Sequence, residues 1–169
     1  TSHFLGSNFA KMFGISFEDE SGQKQICEQT SWGFTTRSLG ILIMVHGDDK
    51  GLVLPPRVAP TQVMLIPIPS QDETAAIEAT CERLCQQLKA AGVRADVDDR
   101  PNYRPGWKYN WWEMKGVPLR LEVGQRDLRN GTCRMVRRDS GIARNVDQDN
   151  LLTEVLQELE VMQSAMLKK

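Results

Sequence analysis

The sequence predicts an α/β fold in which helices flank a mixed, mostly parallel sheet, preceded by a shorter segment of antiparallel sheet. From residue 60 onward, apolar runs of strand length alternate with amphipathic helices, an order that produces such a sheet. Residues 1–57 instead are rich in glycine and short apolar runs. Pro55 and Pro56 end any regular element between the two parts. We therefore predict two domains, 1–57 and 58–169.

The composition excludes several classes of protein. The 169 residues are 40% hydrophobic and 25% charged, which is typical of a globular protein and excludes a disordered chain. No apolar run approaches the roughly 20 residues of a membrane-spanning helix. With 21 basic and 22 acidic residues the net charge is -1, which excludes a uniformly basic nucleic-acid coat but permits a local basic face.

Within residues 1–57, apolar and polar residues alternate over 13–18, as in a half-buried strand. Turn-forming residues follow, so a hairpin that returns through 24–27 is predicted. The segment 38–45 fits either a helix or a strand. These elements are too short to close a core of their own, and we expect them to be the edge of a larger domain.

From residue 58 onward, short apolar or alternating runs predict four strands, 63–67, 93–97, 117–123 and 132–138, and a turn at 139–141 that leads the last strand toward 143–146. Ser70 and Glu73 form a capping-box pattern that starts the first helix, a second helix covers 107–115, and Asp147 caps the last. The predicted core faces of the two long helices are Ala76, Ile77, Thr80, Cys81, Leu84, Cys85, Leu88 and Ala91, and Leu152, Val155, Leu156, Leu159, Met162 and Met166.

The four cysteines do not form a disulfide framework or a metal site. Cys81 and Cys85 are four apart on a predicted helix, a spacing that disfavours a bridge, and only two histidines could complete a zinc site. We interpret all four as small hydrophobic residues of a protein in a reducing compartment. No metal ligands are predicted. His46 beside Asp48 resembles a catalytic dyad, but a histidine bonded to nearby backbone is the favoured interpretation.

Residues 100–126 interleave cations with aromatic side chains, including three of the four tryptophans. Aromatic faces stack unpaired bases and cations follow phosphates, so this region fits a single-stranded RNA loop better than duplex DNA. Each aromatic residue taken alone is more simply a core residue of a short helix. Two further segments, Thr1-Ser2-His3 and Thr35-Thr36-Arg37, combine hydroxyls with a basic group, which is a weak signal for phosphate binding.

Longer strings identify a family. Ser31-Trp-Gly-Phe-Thr-Thr-Arg37, followed by Met44-Val-His-Gly-Asp48, resembles motif 3 of prolyl-tRNA synthetases of the eukaryotic and archaeal type. Gly51-Leu-Val-Leu-Pro-Pro-Arg-Val-Ala59 resembles the exit from their catalytic domain, and Thr1-Ser-His-Phe-Leu-Gly6 the segment before motif 3. Pro105-Gly-Trp-Lys-Tyr109 and Trp112-Glu-Met-Lys-Gly-Val-Pro-Leu-Arg-Leu-Glu-Val-Gly124 are similar to their anticodon-binding domain. The resemblance covers nearly the whole chain.

The resemblance implies a class II ligase that joins proline to ATP with the help of Mg²⁺ and transfers the prolyl group to its tRNA. By position, Thr1, Thr35 and Arg37 match ATP-binding residues, and His3 matches one that lines the proline pocket. Arg37 is the motif 3 arginine and our candidate catalytic residue. A guanidinium suits this place because it can hold a phosphate while charge develops on phosphorus.

The resemblance also implies the partners: proline tRNA, proline and ATP, a second copy of the full-length parent in a homodimer, and no membrane or DNA, all in the cytoplasm. We expect Arg104 and Lys108, which flank the turn at Pro105, to be exposed and to contact the tRNA anticodon. Glu113 and Lys115 on the next turn would offer a base one acceptor and one donor.

Two alternatives stay open. Motifs 1 and 2 of the family are absent from this sequence, so we expect a fragment that is inactive alone and needs no ATP or Mg²⁺ by itself. The alternative is a non-catalytic RNA-binding or interaction module that uses the anticodon-binding fold. The intact Thr35-Thr36-Arg37 string favours the ligase fragment, because such a module has no use for ATP-site residues.

Overall fold

The computed structural model describes residues 1–70 and 72–168. The chain divides into two compact units, Thr1–Ile41 and Leu42–Lys169. The division falls inside a helix, α2 below, which therefore contributes residues to both units. None of the helices in the described residues is long and apolar enough to cross a bilayer.

The first unit contains two antiparallel strand pairs and a short helix. In chain order its elements are β1 (Ser2–Gly6), α1 (Asn8–Phe13), β2 (Ser16–Glu18), β3 (Lys24–Ile26), β4 (Gln29–Trp32) and the start of α2 (Arg37–His46). β1 pairs with β4, and β2 with β3. Most of its large apolar side chains, including Phe4, Trp32 and Phe34, are exposed.

The predicted hairpin of the first unit is confirmed. A carboxylate oxygen of Asp19 accepts hydrogen bonds from the backbone nitrogens of Ser21 and Gln23, which fixes the turn between β2 and β3. The first strand is shorter than predicted because α1 includes residue 13 and ends at Gly14, whose φ of 63° suits glycine. The ambiguous segment 38–45 is helical. The sequence pattern did not predict α1 or the pairing of β1 with β4.

The second unit is built on one five-stranded sheet. Its strands are β5 (Val63–Pro67), β6 (Ala95–Val97), β7 (Leu119–Val123), β8 (Thr132–Arg137) and β9 (Ala143–Asp147), in the spatial order β6-β5-β7-β8-β9. Strands β6, β5 and β7 are parallel to one another. β8 is antiparallel to β7, and β9 is antiparallel to β8. This confirms the predicted α/β class.

Four helices complete the second unit: α3 (Thr74–Ala90), α4 (Pro105–Met114), α5 (Gln125–Asn130) and α6 (Leu151–Leu167). α3 begins at Thr74, and Ser70 does not cap it: the backbone carbonyl of Ser70 accepts the Thr74 hydroxyl instead. Asp147 precedes a 3-10 turn, Gln148–Asn150, so Asn150 is the residue before α6. α5 was not predicted, because six mostly polar residues show no apolar period.

The two faces of the sheet carry different layers. One face packs against α3 and α6 and forms the main core. Its largest buried side chains include Leu65, Ile77, Leu84, Leu88, Leu119, Leu121, Met135, Leu151 and Met162. On α6 the predicted core residues Val155, Leu159, Met162 and Met166 are buried, whereas Leu152 and Leu156 are exposed and Leu151 is buried instead. On the other face, Met64 and Ile66 of β5 pack with Val117 beneath Tyr109 and Trp112.

Backbone hydrogen bonds connect segment 48–54 to the end of α4. The Leu52 nitrogen donates to the Met114 carbonyl at 3.0 Å, and the Leu54 nitrogen donates to that of Gly116 at 3.3 Å. The approach is so close that a Cβ on Gly51 would lie 2.7 Å from the Met114 carbonyl oxygen. Gly51 also has a φ of 129°, a backbone conformation that other residues rarely adopt. Both the close contact and the backbone conformation therefore require glycine at this position.

The buried side chain of Arg138 stabilises the same contact between segment 48–54 and the end of α4, which we call the junction. The side chain of Arg138 is 3% exposed and donates to both carboxylate oxygens of Asp48, at 2.6 and 2.7 Å, and to the Glu113 carbonyl at 2.7 Å. The hydrogen bond from Arg138 holds the pKa of Asp48 below its ordinary value. A bidentate pair of this kind fixes both distance and orientation.

The boundary between the two compact units lies after Ile41, whereas the predicted domain boundary lies after residue 57. Residues 48–57 pack with the sheet: besides the bonds at Leu52 and Asp48, the Arg94 guanidinium donates to the Pro56 carbonyl at 2.8 Å. Packing alone does not identify the domain to which this connecting segment belongs. The boundary after residue 57 stays a prediction.

Replacing Arg138 tests how much the junction contributes to stability. We expect Arg138→Met to lower the free energy of unfolding by about 2 kcal/mol, because three charge-assisted hydrogen bonds are lost and the Glu113 carbonyl loses its partner. Urea unfolding followed by circular dichroism measures this. The matched control is Arg57→Met, whose pair with Glu160 is 70% and 62% exposed and should contribute less than about 0.5 kcal/mol. Equal effects of the two variants would contradict the assignment.

Candidate nucleic-acid interface

α4 begins at a well-defined turn. Arg104 is the residue before the helix, with extended backbone, and Pro105 occupies the first helical position, where a missing N–H costs nothing. The Arg104 carbonyl accepts from the Trp107 and Lys108 nitrogens at 3.0 and 3.2 Å. The Arg104 side chain is exposed, as predicted.

Asp98, just after β6, anchors α4 to the sheet. Its carboxylate is fully buried and accepts from the Arg100 guanidinium at 2.9 and 2.7 Å and from the Trp112 indole nitrogen at 2.7 Å. Its backbone carbonyl accepts from the Lys108 ammonium at 2.7 Å. One residue thus fixes the loop after β6 and two turns of α4.

The electrostatics of Asp98 follow from these partners. Burial pushes the pKa of Asp98 upward, but the hydrogen bonds from Arg100 and Trp112 and the charge of Lys108 outweigh it and lower the pKa to about 2. The carboxylate is therefore ionised at neutral pH, and it holds two cations beside the aromatic residues of α4.

The expectation that Lys108 is exposed is wrong. The residue is only 4% exposed, because its ammonium turns inward to the Asp98 carbonyl and lies 3.6 Å from the Asp98 carboxylate. The flanking Pro105–Gly106 turn exposes Arg104, but one helical turn later the side chain points toward the sheet. Whether Lys108 contacts tRNA stays a prediction, and any such contact has to be made inside a recess.

Three aromatic side chains stack in a row along one side of α4. They are Tyr103, Trp107 and Trp111, spaced four residues apart, and we call them the aromatic ladder. The ring centroids are 3.9 Å apart in the first pair and 5.2 Å in the second, and the planes are nearly parallel. The Arg100 guanidinium lies 5.0 to 5.8 Å from all three ring centroids, and the Lys115 ammonium lies 4.9 Å from Trp111. Tyr103 and Trp107 remain 42% and 39% exposed.

The other flank of α4 borders an open, polar sheet face. Arg120 and Glu122 on β7 stand in register with Met64 and Ile66, so they share the sheet face that α4 covers over β5. Across β8 and β9 that face continues through Arg134 and Asn145, both exposed. We call these four residues, Arg120, Glu122, Arg134 and Asn145, the open sheet face.

Arg120 connects the open sheet face to α4. Its guanidinium lies 4.4 Å from the Tyr109 ring centroid and donates to Glu122 at 2.9 Å. Burial raises the pKa of Tyr109 to about 12, with Glu122 adding to the shift, so the phenol keeps its proton at neutral pH. An oriented guanidinium, a carboxylate and a phenol together offer donors and acceptors suited to base edges.

Glu113 and Lys115 lie on different sides of α4. Glu113 is half-buried and forms an ion pair with Lys50 at 3.1 Å, near the open sheet face, where it lines a small recess with Arg120. Lys115 is exposed and lies over Trp111. The two residues therefore do not present a common donor–acceptor pair, and their roles at a base stay predictions.

In the first unit the pairing of β1 with β4 brings together residues far apart in sequence. The Thr1 nitrogen donates to the Gly33 carbonyl at 2.6 Å, and His3 stands opposite Ser31. The chain then continues to Thr35, whose carbonyl accepts from the Ser38 nitrogen at 3.0 Å, and to Arg37, the first residue of α2. The side chains of Thr1, His3, Thr35 and Arg37 are all exposed, and their ligand roles stay predictions.

The suspected dyad is not formed, because Asp48 is bound to Arg138 rather than to His46. The interpretation of His46 as bonded to nearby backbone is wrong: its Nδ1 is buried and has no hydrogen-bond partner among the described residues. All four cysteines are free thiols; Cys81, Cys85 and Cys133 are buried, and Cys27 is partly buried. Within residues 1–70 and 72–168, no group of three or more His, Cys, Asp or Glu side chains has the arrangement of a metal site.

Sequence reasoning missed Asp98, Arg134 and Asn145 as functional elements, whereas Arg120 and Glu122 lie within the region 100–126 that it predicted to bind RNA. Asp98 lies in a polar loop where an exposed carboxylate is the ordinary expectation, and only its tertiary partners distinguish it. Arg120 did have a signal: it alternates with Glu122 on a predicted strand between leucines, so both had to lie on the face opposite the main core. Arg134 has the same signal on β8.

Comparison with known proteins gives consistent matches. A family model described as an anticodon binding domain matches residues 62–158. The cytoplasmic proline–tRNA ligase of Arabidopsis thaliana is 52% identical over 98% of this chain and 32% of its own length. The proline–tRNA ligase of Methanococcoides burtonii is 47% identical over 100% of the chain and 35% of its own length. A bifunctional glutamate/proline–tRNA ligase of Cricetulus griseus is 47% identical over 95% and 11%. The chain thus spans about a third of the length of the first two relatives.

The buried carboxylate of Asp98 makes a testable contribution to acid stability. Its folded-state pKa of about 2 lies below the ordinary 3.8, so the unfolded chain binds a proton first as the pH falls. The contribution, about 2 kcal/mol, is therefore complete above pH ~5 and is lost as the pH falls toward 2. In urea unfolding across this range, we expect Asp98→Asn to be less stable at neutral pH and to lose less stability in acid. Asp96→Asn, whose carboxylate is 65% exposed, should follow the parent profile; an Asp98→Asn profile parallel to the parent would contradict the assignment.

Proposed function

Because this chain belongs to the anticodon-binding domain family, we propose that it is part of a ligase that activates proline with ATP and attaches it to its tRNA. In this proposal the second unit recognises the tRNA anticodon, and the first contributes residues to the ATP and proline sites. Proline tRNA, proline, ATP and Mg²⁺ are the proposed partners and cofactors.

One observation carries the proposal: proline–tRNA ligases match the entire chain, beyond the anticodon-binding domain. A free-standing RNA-binding module would need only residues 62–158. No observation favours that alternative, and the segment with Thr35 and Arg37 has no evident use in it.

We propose that the anticodon loop binds across the open sheet face and α4. The exposed cations Arg104, Lys115 and Arg134 are suited to phosphates, since they can approach RNA without rearrangement. The partly buried Arg120 and Glu113 are oriented by their partners Tyr109 and Lys50, so they are suited to base edges. The local basic side chains supply the attraction that a net charge of -1 does not.

At the other end of the chain, we propose that Thr1, Thr35 and Arg37 bind ATP and that His3 lines the proline pocket. Arg37 begins α2 and is exposed, so its guanidinium is free to reach a phosphate or stack on adenine. Mg²⁺ would neutralise phosphate charge during adenylate formation. Homodimer formation and a cytoplasmic location belong to the same proposal; the location is supported by four free cysteines and by the name of the Arabidopsis relative.

A chimera tests the function directly. This chain replaces the corresponding third of the Arabidopsis thaliana cytoplasmic ligase, which it matches over 98% of its length. We expect the chimera to charge proline tRNA with proline and to leave non-cognate tRNAs uncharged. A folded chimera that forms prolyl-adenylate but charges no tRNA would contradict the anticodon-binding role. One that fails to form the adenylate would contradict the roles in the ATP and proline sites.

Arg37 has a specific prediction within that chimera. Arg37→Ala should reduce proline-dependent exchange of pyrophosphate into ATP by ~10²-fold or more, the usual cost of losing a group that stabilises developing charge. Lys11→Ala, an exposed cation on α1, is the matched control and should leave the exchange rate unchanged. A near-normal rate for Arg37→Ala would remove Arg37 from the site.

Salt dependence distinguishes phosphate contacts from other effects. Arg104→Gln and Arg134→Gln should each weaken proline-tRNA binding by this chain and reduce the slope of log affinity against log salt concentration by about 0.7 to 0.9. Arg83→Gln removes the same charge from α3, on the opposite side of the sheet, and should change neither. If all three variants behave alike, tRNA binds elsewhere on the domain.

A further inference from the structure

A recess lies at the carboxyl end of β5, apart from the open sheet face. Its volume is about 150 Å³, and its wall includes Pro67 at the end of β5, Pro69 just after it, Pro101 and Tyr103 from the loop before α4, and Glu78 on α3. The ends of parallel strands are where α/β folds commonly bind ligands.

Its apolar walls fit a flat ring. A protein cavity of about 150 Å³ holds a benzene molecule, so the recess has the size of one six-membered ring. Tyr103 stacks on Trp107 at 3.9 Å and also lines the recess. The ladder of α4 therefore ends at the recess, where a further ring could extend the stack, while the prolines provide rigid apolar surface.

Its polar groups combine a donor with acceptors. The Lys108 ammonium has three N–H donors, of which one is bonded to the Asp98 carbonyl, and the residue lines the recess. Glu78 and Asp99 contribute exposed carboxylates. Because Lys108 is almost fully buried and held by Asp98, a ligand has to enter the recess to accept a hydrogen bond from its ammonium.

This combination discriminates between ligand classes. A phosphate would gain from Lys108 and Arg100 but would be repelled by Glu78 and Asp99, and it would leave the apolar walls uncovered. A nucleobase instead presents two flat apolar faces and an edge that both donates and accepts. Lys108 can donate to a ring carbonyl or ring nitrogen, and Glu78 can accept from an exocyclic amine.

We propose that this recess binds one unpaired base of the tRNA anticodon loop, extruded from the stack of its neighbours and placed against Tyr103 between Lys108 and Glu78. The proposal rests on the proposed anticodon recognition and adds a site for a single base to it. It also gives Lys108, which was expected to contact the anticodon from an exposed position, a base contact inside the recess.

Binding of an RNA hairpin with the proline anticodon loop to the 169-residue chain tests the proposal. Tyr103→Ala should weaken binding about tenfold through lost stacking, with no change in salt slope because no cation is removed. Glu78→Gln should also weaken it about tenfold. Simple electrostatics predicts the opposite, since removing a carboxylate favours RNA. Glu82→Gln, the same change one turn further along α3, is the control and should bind like the parent.

Both test residues are exposed, so their variants should fold; urea unfolding of each verifies this. A second measurement locates the base. 2-Aminopurine is placed at each loop position in turn, and its fluorescence is compared on the parent chain and on Tyr103→Ala. One position should be quenched by the parent and not by the variant.

Each outcome is decisive. Parent-like binding by both Tyr103→Ala and Glu78→Gln, with no position whose quenching depends on Tyr103, overturns the base site and leaves anticodon recognition intact. A parent chain that does not bind the hairpin or proline tRNA overturns anticodon recognition together with the base site. Saturation of the recess by free proline, detected as tyrosine or tryptophan chemical-shift changes in NMR spectra, would assign it to an amino acid instead of a base.

Discussion

The buried carboxylate of Asp98 joins the sheet to α4, and both candidate RNA surfaces depend on it. It accepts from Arg100 and Trp112, and its carbonyl accepts from Lys108. An ionised carboxylate without these partners would not remain buried, and a buried Lys108 without Asp98 would be equally costly. The charges therefore stabilise one another only in the arrangement that sets α4 against β5. The helix carries its aromatic ladder on one flank and Tyr109 and Glu113 on the other, so its placement determines both surfaces.

The far end of α4 is held by a second ion pair, in which the Arg138 side chain is buried. Arg138 reaches from the end of β8 to Asp48 and to the Glu113 carbonyl, and the close backbone contact at Gly51 leaves little room for the helix end to shift. A ten-residue helix is marginal alone, and this one has only a thin apolar layer beneath it, Met64, Ile66 and Val117. Fixing both ends with charged groups compensates for that layer. The polar side chains of α4 are thereby preorganised, which lowers the entropy lost on binding RNA.

Hydrophobic periodicity and turn-forming residues were sufficient to predict the sheet, its mixed character and the two long helices. Burial of one face places apolar residues at regular intervals in those segments, and this pattern is visible in the sequence. The same reasoning failed for Lys108. A lysine after a Pro-Gly turn is ordinarily solvated, and its burial depends on Asp98, ten residues earlier, which no local pattern reveals. α5 was missed because it is short and polar. On α6 most of the core face was predicted correctly, but Leu152 was chosen in place of Leu151, because the two are equally apolar and only the position of the preceding 3-10 turn decides between them.

The concentration of exposed cations on and beside α4 explains how a chain of net charge -1 can be suited to RNA. The open sheet face and the α4 terminus concentrate exposed arginines, which attract phosphates over a distance of about a Debye length. On the ladder flank, the Asp98 carboxylate offsets one of the two charges of Arg100 and Lys108 and fixes both cations, while the exposed Lys115 lies over Trp111. In the proposed function, exposed cations attract phosphates and side chains held by partners read bases. Under that proposal, the exposed cations determine affinity and its salt dependence, the side chains held by Asp98, Tyr109 and Lys50 determine which unpaired bases fit, and a change in one property need not alter the other.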